Sequence, residues 1–125
     1  MNEFDRGIRE LRAEIKKVVV ETVKKTALRV NQTIILATPV DTGRARANWI
    51  ATVGFGNAIK VDDVDPTGGA TISKNTQTII TAKEELEMEI HLTNNLDYII
   101  PLNNGHSGQA PAGFIEKAVQ VAESV

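Results

Sequence analysis

Cysteine is absent from the 125 residues. Disulfides, thiolate metal sites and cysteine nucleophiles are thereby excluded. Large rings are scarce: one Trp, one Tyr and three Phe. A core with so few must rest on Val, Ile, Leu and Ala, which bury less area per residue. A fold of that kind leaves apolar surface for a partner. No stretch approaches the roughly 18 apolar residues of a membrane span. The opening MNEFDRGIRELRAE is too charged for a signal peptide, which points to a protein made and used in a cytoplasm. Catalytic signatures are missing too. There is no Gly-rich loop followed by Lys-Ser/Thr, no HExxH and no GxSxG, so phosphate-loop, zincin and serine-hydrolase chemistries lose their usual markers. No internal repeat or low-complexity tract is visible.

What remains suits one domain over residues 1–125, with 42% hydrophobic and 24% charged residues, ordinary proportions for a globular chain. The net charge of −2 hides a segregation. Residues 1–60 carry eleven Lys and Arg against six Asp and Glu; residues 61–125 carry three against ten. A basic half and an acidic half suit head-to-tail association of copies, although segregated solvated charge looks the same.

Residues 3–37 predict one long helix, with residues 1–38 as a unit and 39–125 as an α+β body. Phe4, Ile8, Leu11, Ile15, Val18 and Val19 follow the three–four spacing of one apolar stripe. Val20, Val23, Ala27, Val30, Ile34 and Leu36 then widen it. Thirty-five residues span about 52 Å, more than so small a body needs, so the first turns are expected to project. Thr38-Pro39 ends the helix. Asp41 or Thr42 is expected to cap a short helical turn over Arg44–Asn48. Trp49–Phe55 reads as a strand and residues 56–70 as a loop. Residues 71–83 carry helical spacing (Ile72, Ile79, Ile80, with Ser73 as cap) and a Thr-rich strand composition; the helix is taken.

Leu86–Leu92 alternates strictly and predicts a strand with Leu86, Met88, Ile90 and Leu92 inward. Asn94 or Asn95 starts a short helix to Asn103, limited by Pro101. Residues 103–108 form a turn, and Pro111 opens a last helix burying Phe114, Ile115, Ala118, Val119 and Ala122. The order predicts an α+β fold, helices packed on a small antiparallel sheet. Two strands alone are marginal, so a third, from the 56–70 loop or from a neighbouring subunit, is expected.

Few constellations point to chemistry. His91 alternates with Glu87 and Glu89 on a solvent face. His106 and Ser107 are adjacent in a turn, which is no triad geometry by default. Asp62, Asp63 and Asp65 resemble a calcium loop in composition but lack its twelfth-position glutamate; a solvated acidic loop is the better reading. The cations of the first helix are interleaved with Glu10, Glu14 and Glu21, without aromatics for stacking, which argues against sequence-specific nucleic-acid binding.

Two segments carry a resemblance. Thr38-Pro39-Val40-Asp41-Thr42-Gly43-Arg44-Ala45-Arg46-Ala47-Asn48-Trp49 resembles the TPVDTGRLR-x-x-W signature of the tail-component family of tailed bacteriophages. Its members are called neck, tail-completion or head–tail joining proteins. Leu92-Thr93-Asn94-Asn95 with Tyr98, Leu102, Gly105 and Ser107, then Gln109-Ala110-Pro111-Ala112-Gly113, resembles that family's second signature. Order and spacing agree along most of the chain.

The resemblance implies a non-enzymatic virion subunit without cofactor or metal. It implies a ring, with six copies the usual symmetry, between the portal or connector and the tail, assembled in the host cytoplasm. Its neighbours would be the connector or stopper and the tail terminator or tube proteins, with DNA only as passing cargo and no membrane. A tail terminator or minor tail protein is the alternative, ahead of a DNA-binding regulator or a small hydrolase. Within this frame Pro39, Asp41, Thr42, Gly43, Trp49, Tyr98, Gly105, Pro111 and Gly113 are expected to define the fold, with Trp49 and Tyr98 as anchors. Ile8, Leu11, Ile15, Val19, Arg44 and Arg46 are the expected subunit contacts. Asp62, Asp63, Asp65, Glu85 and Glu87 are expected to face the channel, where like charge keeps DNA from sticking.

Overall fold

The computed structural model describes residues 2–105 and 112–123. Its elements are α1 (Glu3–Ala37), α2 (Arg44–Ala47), β1 (Ile50–Val53), α3 (Gly69–Ile80), β2 (Ile90–Thr93), α4 (Ile99–Asn103) and α5 (Phe114–Glu123). The fold is α+β, with a long N-terminal helix, short helices and a two-stranded antiparallel sheet. No described helix is long and apolar enough to cross a membrane.

The α1 helix starts where Asn2 accepts the Asp5 N–H at 2.8 Å, with Glu3 and Asp5 in the positive first turn. It stops at Thr38, whose extended backbone (φ −71°, ψ 129°) obeys the following proline. The two halves of α1 live differently. Every residue from 2 to 18 is exposed. Val20, Asn31, Ile34 and Ile35 are buried against the body, where α1 packs on α3 and α5. At about 100° per residue, Phe4, Ile8, Leu11, Ile15 and Val18 cluster on a face about 170° from those buried positions. The expected single widening stripe is therefore two stripes on opposite faces, and only the second meets this chain's own core.

That core gathers Ile34, Ile35, Ala45, Trp49, Leu96, Ile99, Phe114 and Ala118. The α5 helix contributes Phe114, Ala118 and Ala122 as expected. It begins after Gly113; Pro111, offered as its first residue, lies outside the described residues, as do His106 and Ser107.

Three expectations are corrected. The long strand from Leu86 shrinks to β2, and Leu86 is half exposed at 50%. The register pairs Ile50 with Thr93 and Val53 with Ile90. Beyond it Gly54 still bonds Glu89 (2.8 Å), but its φ of +87° turns the chain away, so among the described residues no strand pairs with residues 85–88, which close a turn through the Met88 N–H and the Glu85 carbonyl (3.2 Å). No third strand forms in the 56–70 loop among the described residues. Finally, α3 starts at Gly69 with Gly68 at its cap, leaving Ser73 inside the helix.

Candidate functional site

The motif around residues 38–49 forms a hub that joins α1, the 56–68 loop and α3. Thr38 gives its hydroxyl to the Ile34 carbonyl (2.7 Å) and accepts the Trp49 indole N–H (2.9 Å). Trp49, 5% exposed, is thus the expected anchor. Tyr98 is not: it is 38% exposed and serves α4 through its backbone carbonyl, which accepts the Leu102 N–H at 3.0 Å.

Gly43, in the left-handed region at φ +90°, is the cap residue of α2. A Cβ there would lie 2.5 Å from the Pro66 nitrogen and 2.7 Å from the Asp65 carbonyl carbon. The glycine lets the loop approach closely enough for Asp65 N–H to reach the Gly43 carbonyl at 2.9 Å. Thr42 accepts the Arg44 N–H at 3.3 Å in a tight turn. Asp41, the other expected cap, is exposed, and α2 has no side-chain cap.

Arg46 was expected to reach a neighbouring subunit, but its guanidinium is turned inward. It donates to the carbonyls of Thr38 (2.9 Å), Leu36 (3.0 Å) and Pro66 (3.0 Å). The last turn of α1 has no basic residue of its own, so Arg46 supplies the cation that the helix's negative end favours. Arg44 bonds the Val61 carbonyl (3.4 Å) and the fully exposed Asp62 carboxylate (3.2 Å). That surface pair is worth little and leaves Arg44 open to exchange.

Asp65 likewise leaves the set of channel-facing acids. Its carboxylate accepts the Thr71 N–H at 2.8 Å and steadies the start of α3. Partial burial works against its charge, but the Thr71 and Gly68 hydrogen bonds and the nearby Arg46 outweigh it and hold the carboxyl below its ordinary range. Asp62, Asp63, Glu85 and Glu87 remain exposed. Among the described residues no three His, Asp or Glu side chains converge as metal ligands. His91 meets Glu89 at 3.3 Å on the surface.

Sequence reasoning missed the asparagines and one lysine. Asn75 is 2% exposed and Asn31 0%. The Asn75 amide donates to Asn31 Oδ1 and to the Trp49 carbonyl, both at 2.9 Å, and its oxygen accepts the Ala51 N–H at 3.1 Å. One side chain thereby ties α1, β1 and α3 together and satisfies the outer edge of β1. Asn48 binds the 56–68 loop from both sides of its amide, accepting Val61 N–H (2.8 Å) and donating to the Val61 carbonyl (2.9 Å). Lys24 donates to the Ile80 and Ala82 carbonyls at the end of α3 (3.1 and 3.0 Å). Nothing in composition marks such residues; only their apolar neighbours in sequence hint that they are buried.

One concavity adjoins this hub and a second lies apart from it along α1. The first, of about 290 Å³, is lined by Trp49, Val64, Asp65, Thr71, Lys74 and Asn75 among others. The other, of about 480 Å³, is an open apolar groove between the second half of α1 and β2. The motif residues hold the fold; the exposed half of α1 and the apolar groove are the surfaces left unfinished. Comparison with family models, curated proteins and solved structures finds no match to this chain.

Proposed function

We propose that this chain is a virion structural protein of a tailed bacteriophage. It acts as a ring-forming neck or tail-completion subunit that joins the head's portal or connector to the tail and leaves a channel for DNA. The observation that carries the reading is the pair of motifs, residues 38–49 and 92–113, in the order and spacing of that family behind a long N-terminal helix. The geometry is compatible with a mechanical role. In the first motif Thr38, Arg46, Asn48 and Trp49 spend their side chains on internal bonds, and a row of large apolar residues on α1 is left for other chains.

In this reading Asp62, Asp63, Glu85 and Glu87 line the channel, and the work is to join, to seal and to let the genome pass. No cofactor takes part. The test is a nonsense mutation in the gene within its phage. Electron microscopy of the lysate should show filled heads and finished tails that fail to join, and supplying the protein in trans should restore infectious particles. Normal virions without the protein would reject the proposal. Tails of uncontrolled length would favour the tail-terminator alternative.

A further inference from the structure

The first half of α1 carries an apolar surface that this chain leaves bare. Phe4, Leu11, Ile15 and Val18 are 74, 57, 49 and 59% exposed, and Ile8 is 36%. Every residue from 2 to 18 is exposed, and the stripe lies on the face of α1 turned away from the body. Its spacing is four, three, four and three residues. The mean is about 3.5, the repeat of two helices wound together, where a helix lying on a globular body repeats at about 3.6. In that repeat Ile8 and Ile15 take the first core position, and Phe4, Leu11 and Val18 the second. A β-branched first position, with leucine at the centre of the second, favours two parallel strands. The next core positions, Thr22, Lys25 and Arg29, are polar, so the seam stops where α1 joins the body.

The charges beside the seam say what the second strand is. At about 100° per residue, Arg9, Arg12 and Lys16 lie along one flank together with Asp5. Glu3, Glu10 and Glu14 lie along the other together with Lys17, and Arg6 is at the back. The exceptions, Asp5 and Lys17, stand at the two ends of the segment; between residues 6 and 16 neither flank is mixed. Among the described residues none of these charges is held in an ion pair, since the pairs formed use Lys24, Arg44, Lys60, Lys83 and His91. When two copies of such a helix lie parallel, the basic flank of each runs beside the acidic flank of the other, on both sides of the seam. In antiparallel copies like charge would face like. An anionic membrane surface calls for Lys and Arg over the polar face, and here an acidic flank borders the stripe. The partner that supplies the required opposite pattern is the same helix.

We infer that the first halves of α1 from two copies of this chain pair in parallel, stripe against stripe. The contact is isologous, each surface meeting its own kind, so it is complete in a pair. It keeps the two bodies on the outer sides, because the stripe and the body occupy opposite faces of α1. The inference goes beyond the proposed function and does not rest on it. A ring with an even number of copies can contain such pairs, and the pairs exist equally without a ring.

The test uses the full-length protein in sedimentation equilibrium. Wild type should be a dimer or an assembly of dimers. Leu11→Glu, at an exposed site in the seam, should abolish the pairing while circular dichroism shows the protein folded; if it does not fold, Ile15→Glu takes its place. Glu10→Lys with Glu14→Lys makes both flanks basic, and Arg12→Glu with Lys16→Glu makes both acidic. Each double variant alone should pair at least about tenfold more weakly, and an equimolar mixture of the two should pair as well as wild type. The chain has no cysteine of its own, so oxidation of a Phe4→Cys variant reports direction. Parallel strands bring position 4 against its own copy and give a disulfide-linked dimer; antiparallel strands place it opposite position 22. A monomeric wild type, association untouched by Leu11→Glu, double variants that pair normally, or a mixture that stays monomeric would overturn the inference. So would a Phe4→Cys dimer that forms no disulfide. Loss of the pair leaves the proposed function standing, and a phage neck that lacks the chain leaves the pair standing.

Discussion

Replacing Asn75 by Ala should cost more stability than any single apolar truncation of similar size. The change removes three hydrogen bonds from a site 2% exposed. It strands the Ala51 N–H, the Trp49 carbonyl and the Asn31 amide oxygen, which Asn75 meets at 3.1, 2.9 and 2.9 Å. Each buried group left unpaired costs about 1–3 kcal/mol. Water entering from the neighbouring cavity of about 290 Å³, which Asn75 lines, can relieve part of this. The lower half of the range applies, about 3–6 kcal/mol in all, a large share of the roughly 5–15 kcal/mol that holds a domain together.

Urea unfolding followed by fluorescence measures it directly, because Trp49 is the only tryptophan and sits beside the change. Exposed Lys74→Ala, one residue away, serves as control and should shift stability by less than about 0.5 kcal/mol. Asn31→Ala should be strongly non-additive with Asn75→Ala, since the two share a bond. A loss below about 1 kcal/mol for Asn75→Ala, within the range of a typical single mutation, would refute the view that this amide organises the core.

Other outcomes follow from the same hub. Gly43→Ala forces a side chain into left-handed backbone, about 1–2 kcal/mol, and pushes the Cβ to within 2.5 Å of Pro66; thermal melts should show a total loss of about 2–4 kcal/mol. Arg46→Met keeps the apolar stem but removes three bonds to carbonyls; the expected cost in urea titrations is about 2–3 kcal/mol, and a neutral result would return Arg46 to the set of intersubunit residues. The folded-state pKa of Asp65 lies below its ordinary value, so its charge stabilises the fold above the unfolded pKa of about 4. The advantage of wild type over Asp65→Asn should be complete above that pH and vanish as pH falls through the folded pKa; an advantage constant across that window would remove the linkage.

The end of α1 was legible because it is written in local chemistry, a Thr-Pro stop; its extent showed in the apolar spacing, while the Asn2 cap emerged only in the structure. The α5 face was legible for the same reason, its apolar residues recurring at helical spacing. The extent of β2 was not. Strict alternation from Leu86 onward is a real strand signal, but a strand needs a partner, and β1 ends four residues in where Gly54 turns. The missing third strand has a similar cause. The outer edge of β1 meets the Asn75 amide, and the 56–68 loop is pinned by Asn48 and Asn95 instead of a ladder.

The reversal of faces along α1 was present in the spacing. It stayed hidden because Val18, Val19 and Val20 bridge the two stripes with continuous apolar sequence. Arg46 and Asp65 were misassigned by a rule that is usually right, that loop charges face outward. Gly43 overturns it here, because its missing side chain lets the loop close over them.

The most direct measurement of the proposed function is a cryo-EM map of the neck of a tailed phage whose genome carries this gene. The account predicts a ring of copies between portal and tail tube, each with a rod of density about 52 Å long for the 35 residues of α1. The first half of that rod should lie against the neighbouring copy. A neck whose density is fully explained by other proteins, with this chain absent from the particle, would contradict it.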